Sequence, residues 1–248
     1  MSKETSVKVF EEVDNLSSFF GTIIMDKIRK KNDNEYLSIA LSGGSTPKLI
    51  FRFLTENFKE KINWSRILVF WGDERCVPPD DKESNYKMAC DYLLNHVGIP
   101  PDNIFRVFGE SNPNDEAKRY SQIVKSKLPS NNGIPVFDIV LLGLGDDGHT
   151  ASIFPDNLSL FNTEKFFEVA SHPQTNQNRI TACGTIINFA KTIVFIATGT
   201  AKAEVISTIL NKQGNWKKYP ASYVSPKNGD LIWLLDKNAA SVYIDTSE

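Results

Sequence analysis

The run Gly143-Leu-Gly-Asp-Asp-Gly-His149-Thr-Ala-Ser152 sets one of the chain's three histidines beside two carboxylates. It directly follows the apolar stretch Phe137-Asp-Ile-Val-Leu-Leu142. An imidazole exchanges protons near neutral pH, and glycines let backbone amides approach a ligand closely. Loops at the carboxyl ends of buried strands are where open α/β sheets gather their active sites. His149 therefore reads as a proton-transfer group in preference to a histidine that only caps a turn. A metal is the weaker reading, because His96 and His172 do not stand at ligand spacing and one histidine with aspartates specifies no metal.

A second segment of this kind is Ser42-Gly-Gly-Ser-Thr-Pro47, between the apolar run Tyr36–Leu41 and a helical pattern. Free amides at a helix start, aided by the helix dipole, hold phosphate. The plainer alternative is an ordinary Ser/Thr N-cap. No Gly-Lys-Ser/Thr follows at Walker spacing. Thr198-Gly-Thr-Ala201 precedes Lys202 in a further strand-to-helix turn, where an anion would meet both amides and an ammonium. Arg179 opens another short apolar run. Trp71-Gly-Asp-Glu-Arg-Cys-Val-Pro78 places Asp73, Glu74 and Arg75 just past a strand, as a polar substrate wall or as a solvated, salt-bridged loop.

Gly143-x-Gly145-x-x-Gly148 formally matches a dinucleotide fingerprint, and Glu168 lies at the expected distance beyond it. Asp146 and Asp147 would oppose a pyrophosphate, Pro155 interrupts any helix there, and Glu168 lies inside its apolar run. The match is discounted on these grounds.

These segments need a frame. Strands are expected at Val7–Phe10, Tyr36–Leu41, Arg66–Trp71, more weakly Ile104–Phe108, Phe137–Leu142, Phe166–Ala170, Arg179–Ala182, Thr192–Ala197 and Leu231–Leu235. Helical spacing covers about Glu11–Lys31, the stretch after Pro47, Glu83–His96, Asp115–Leu128 and Ala201–Leu210. Pro129–Pro135 reads as a loop. The alternation predicts an α/β fold, a Rossmann-like and mostly parallel sheet with helices on both faces. No linker divides the chain, so residues 1–248 read as one domain.

With 41% hydrophobic residues the chain can bury a sizeable core, and its formal charge of −2 argues against a nucleic-acid partner held by bulk electrostatics. Cys76, Cys90 and Cys183 are isolated and read as reduced thiols. No secretory signal and no run long enough to cross a bilayer is visible. The expectation is a cytoplasmic protein, monomeric or weakly dimeric, with no membrane partner.

Taken together, Leu41-Ser-Gly-Gly-Ser-Thr-Pro47, Trp71–Pro78, Ser84-Asn85, Leu142–Ser152, Arg179-Ile-Thr181 and Gly199-Thr-Ala-Lys202-Ala203 resemble the 6-phosphogluconolactonase family. Tyr219-Pro-Ala-Ser222 and Trp233-Leu-Leu-Asp236 extend the resemblance over nearly the whole chain. It implies hydrolysis of 6-phospho-D-glucono-1,5-lactone to 6-phosphogluconate in the oxidative pentose phosphate pathway, without cofactor or metal. The small phosphorylated lactone is the expected partner. By position, Ser42, Gly43, Gly44, Ser45, Thr46, Arg179 and Lys202 would hold the phosphate, and His149 would be the base. Asp147 would orient the imidazole, Arg75 with loop amides would stabilise the oxyanion, and Asp73 joins the catalytic set. Two rivals share the scaffold. A glucosamine-6-phosphate deaminase would carry Asn-Glu-Pro where this chain has Ser152-Ile-Phe-Pro155, and a non-catalytic sugar-phosphate sensor would carry an added DNA-binding or partner domain.

Overall fold

A computed structural model describes residues 5–243. Its strands are β1 (Thr5–Phe10), β2 (Leu37–Leu41), β3 (Ile67–Trp71), β4 (Asp73–Arg75), β5 (Ser130–Asn131), β6 (Ile134–Pro135), β7 (Ile139–Gly143), β8 (Phe167–Ser171), β9 (Asn178–Ala182), β10 (Thr192–Ala197) and β11 (Asp230–Asp236). The helices are α1 (Val13–Arg29), α2 (Ser45–Phe58), α3 (Asn85–Ala89), α4 (Pro113–Lys127), α5 (Gly184–Ile187) and α6 (Ala203–Leu210).

Six strands form a parallel sheet in the order β1-β11-β10-β7-β2-β3. β2 and β10 are buried at every position, the continuous apolar signature of a parallel sheet covered on both sides. Phe195 and Trp233 stack with centroids 4.0 Å apart on neighbouring strands. α1 buries Leu16, Phe20, Ile24 and Ile28, a stripe at i, i+4 spacing. Each such side chain contributes roughly 1.5–3 kcal/mol on burial.

The order reverses between β2 and β7. From β2 the chain moves outward to β3, and from β7 it moves the other way through β10 to β11. At such a switch point the two following loops part and leave a crevice. The loops concerned are Ser42–Gly44 and Leu144–Ser152.

Three expected elements differ. Asp73–Arg75 is not a loop but β4, which pairs antiparallel with β9, and β9 pairs with β8 to complete a separate three-stranded sheet. Ile104–Phe108 makes no strand. Only Ile104 bridges to Val69, after which Phe108 turns to receive the Arg119 guanidinium at 3.7 Å and donates its N–H to Glu116. Within Pro129–Pro135, β5 and β6 form a hairpin whose Asn132-Gly133 turn has φ of 51° and 79°, the conformation of a type I′ turn. No described helix is long and apolar enough to cross a membrane.

Candidate active site

A cleft of about 290 Å³ opens at the switch point. It is lined by Ser42, Gly43, Gly44, Ser45, Thr46, Asp73, Arg75, His149, Arg179 and Lys202, so that every expected site residue except Asp147 faces it. Residues up to 160 positions apart in sequence meet there because β2, β3, β7 and β10 all end at this rim.

The histidine loop is held from within. Thr150 Oγ1 donates to the Gly143 carbonyl (2.9 Å), and Gly145 N–H donates to the His149 carbonyl (2.9 Å). His149 Nδ1 lies 2.5 Å from Asp147 Oδ1, and its own N–H reaches the same oxygen at 3.0 Å. Burial acts to raise the Asp147 carboxyl, but these bonds outweigh it and hold it below the usual carboxylate range. A carboxylate there accepts a hydrogen bond from Nδ1–H and leaves Nε2 as the acceptor nitrogen. Phe154 packs on the ring at 4.8 Å. A side chain at Gly145 would place its Cβ 2.1 Å from Nδ1, so the imidazole can occupy this position only beside glycine. Ala151, on the cleft wall, is held at φ 49°, a strained geometry for a residue with a Cβ.

The glycine loop is not an ordinary N-cap. α2 begins at Ser45, its N-cap is Gly44 at φ 107°, and no side chain caps it. That conformation favours glycine and leaves the first amides of a fourteen-residue helix facing the cleft. Thr46 Oγ1 bonds Thr198 Oγ1 (2.8 Å), tying this loop to the one after β10. In that later loop the Gly199 amide is taken by Asp236 at 3.0 Å, contrary to the expected anion-binding turn. Lys202 contributes its ammonium instead, which donates to the Leu144 carbonyl. Burial lowers its pKa, and Asp146 partly opposes this.

β4 alternates its side chains, so Asp73 and Arg75 face the cleft while Glu74 turns inward. The Glu74 carboxylate accepts from Arg75 N, Asn85 N, Tyr86 N (each 2.7 Å) and Ser84 Oγ (3.1 Å). Burial raises it against these donors. It thereby locks Arg75 to the start of α3. Asp73 Oδ2 accepts from Ser152 Oγ at 2.8 Å, and Ser152 N–H donates to Thr181 Oγ1. The salt-bridged-loop reading fails, since no ion pair involves Asp73, Glu74 or Arg75 among the described residues.

Arg75 and Arg179 stand directly opposite each other across β4 and β9. The Nε of each is buried without a hydrogen-bond partner. Two like charges side by side with unspent donors form a receptor for an anion. The expected loop-amide share of an oxyanion site is reduced, because Gly145 and Gly148 N–H groups are bonded within their own loop.

Asn85 and Asp146 also line the cleft. Asn85 donates to the Asp73 carbonyl (2.9 Å), and only the folding of α3 against β4 brings it there. No thiol competes as nucleophile, since burial pushes Cys76 up to about 11 and Cys183 up to about 12. Glu168, the residue a nucleotide ribose would need, forms an ion pair with Lys165.

The chain is similar to known proteins over most of its length. The 6-phosphogluconolactonase of Treponema pallidum is 41% identical over 201 residues, covering 81% of this chain and 82% of that protein. That of Haemophilus influenzae is 42% identical over 207 residues, covering 83% and 87%. The structure of 6-phosphogluconolactonase from Trypanosoma brucei superposes with a TM-score of 0.85 at 32% identity, covering 97% of this chain and 99% of that one. The profile of the glucosamine-6-phosphate isomerases/6-phosphogluconolactonase family matches residues 11–233, and the chain belongs to that family.

Proposed function

We propose that the chain hydrolyses 6-phospho-D-glucono-1,5-lactone to 6-phosphogluconate, the second step of the oxidative pentose phosphate pathway, with His149 as general base. One observation carries the reading. An imidazole oriented by a carboxylate shares a cleft with two guanidinium groups whose Nε donors are buried without partners, an ammonium and an uncapped helix start.

The lactone is an activated ester, so catalysis requires orientation, a base and charge stabilisation. The phosphate sits on the amides of Ser45 and Thr46 with Lys202 and Arg179. This distant grip fixes C1 near His149 and converts binding energy into orientation. His149 Nε2 takes a proton from water as its oxygen bonds to C1, and the carbonyl electrons move to the exocyclic oxygen. Arg75 stabilises that oxyanion. When the intermediate collapses, the C1–ring-oxygen bond breaks and the imidazolium returns the proton to the departing oxygen. Asp147 stabilises the imidazolium without itself taking a proton. Ile153 and Phe154 are buried where a deaminase would carry its ring-opening carboxylate, which favours the lactonase reading over that relative.

The test is His149→Asn, with hydrolysis corrected for the spontaneous rate. The expected outcome is a fall in kcat of roughly 10²–10⁴, the usual contribution of a general base. Retained turnover, or ammonia release from glucosamine 6-phosphate by the native chain, overturns the assignment.

A further inference from the structure

A second basin of about 360 Å³ adjoins the first and shares Gly44, Ser45, Arg75 and Asn85 with it as a common wall. Its other charged lining residues are Lys48, Lys82, Lys87 and Asp91, so four cations face one carboxylate in a chain of net charge −2. Such a local excess repels itself unless an anion is present, and a concave cationic surface raises the local concentration of anions.

The cations are arranged along the basin. Lys48 lies one helical turn after Ser45 on α2, on the same face as the uncapped amides, and its ammonium rests 4.7 Å from the Tyr92 ring. Lys87 is tethered to Asp91 at 2.5 Å. Lys82 makes no hydrogen bond or ion pair among the described residues. At the junction, the buried Arg75 Nε has no partner. The lactone carries one phosphate and no other charge, so a substrate anchored on the glycine loop leaves these lysines unused.

We infer that this basin is a second anion subsite, and that a ligand with linked phosphates binds across both clefts in competition with the lactone. One phosphate occupies the Gly44–Thr46 loop and the next lies among Lys48, Lys82 and Lys87. The inference rests on the proposed phosphate position in the first cleft. It extends the site's ligand class from sugar monophosphates to polyphosphorylated competitors.

The test compares tripolyphosphate with orthophosphate as inhibitors of lactone hydrolysis, in the native chain and in the triple variant Lys48→Ala/Lys82→Ala/Lys87→Ala. A few exposed ion pairs together give an advantage of about tenfold to tripolyphosphate in the native chain. The triple variant, folded by circular dichroism and unchanged in kcat, should reduce that advantage below about twofold while orthophosphate inhibition persists. An advantage absent from the native chain, or retained in the triple variant, overturns the subsite. Failure of the underlying phosphate position shows differently, as orthophosphate inhibition that Lys202→Ala leaves untouched.

Discussion

The two ends of the parallel sheet both collect charge, and they treat it in opposite ways. At the amino ends of the strands, Asp138 is buried and every partner is in place. Lys31 and Lys191 each reach it at 2.9 Å, Ser38 N–H at 3.0 Å and Ser38 Oγ at 3.2 Å. At the carboxyl ends, Arg75 and Arg179 face each other with Nε donors unspent, and α2 begins without a cap. Buried polar groups normally find their partners, because each orphan costs on the order of 1–3 kcal/mol. A network that is complete within the chain holds the fold together. One left incomplete at a cleft keeps donors free for a ligand. On the proposed reading, an anion bound at the carboxyl rim would recover the cost carried there.

The sharpest way to break this contrast is Asp138→Ala. It strands two lysines at the sheet's amino end and should lower unfolding free energy by about 3 kcal/mol, measured by urea denaturation. Part of each lysine reaches water, at 17% and 53% exposure, which keeps the loss at the low end for a broken buried pair. The kcat of the folded fraction should not change. Burial raises the Asp138 carboxyl, but the lysines and Ser38 outweigh it and depress its pKa. Its stabilisation is therefore present above the unfolded carboxylate value and fades as pH falls through the lower folded one, below about pH 4. A large drop in kcat with little loss of stability would erase the distinction between the two rims.

Gly145→Ala probes the opposite rim. The added methyl displaces the imidazole from Asp147 and should cut kcat by roughly tenfold to a hundredfold, since small misplacements of a reacting group cost that much. Thermal stability should hold. Unchanged turnover would show that the ring need not occupy its observed position.

The smallest effect is a pH dependence. Burial lowers the Lys202 pKa below that of an ordinary lysine, so its charge is lost earlier as pH rises. Calorimetric affinity for 6-phosphogluconate should fall by a few-fold as pH rises toward the ordinary lysine value of about 10.4, before free lysine titrates. Lys202→Arg should flatten that fall, because guanidinium stays charged. A native affinity constant to pH 10 would remove Lys202 from the phosphate site.

Much of the molecule was legible in order along the chain. The central parallel strands announced themselves as largely apolar runs because burial on both faces favours apolar side chains there. The glycine-rich turns followed directly at their ends, with His149, Ser42–Thr46 and Lys202 in place. β4 was not legible, since Asp73-Glu-Arg75 carries none of the residues that mark a strand. Only its pairing with β9 makes it one, and that pairing sets Arg75 against Arg179. Ser84-Asn85 stood out only as part of the family resemblance, and its place at the cleft is set by the docking of α3 on Glu74.

The sequence alone determined which chemical groups stand at the strand ends, since periodicity and glycine placement are local properties of the chain. The tertiary structure alone decided which donors remain unsatisfied. Satisfaction depends on partners remote in sequence, as Asp236, 37 positions on, shows by taking the Gly199 amide and closing one expected anion site. Hydrogen bonds form over about 3 Å in space irrespective of distance along the chain, and that is why the receptor for the anion emerges only on folding.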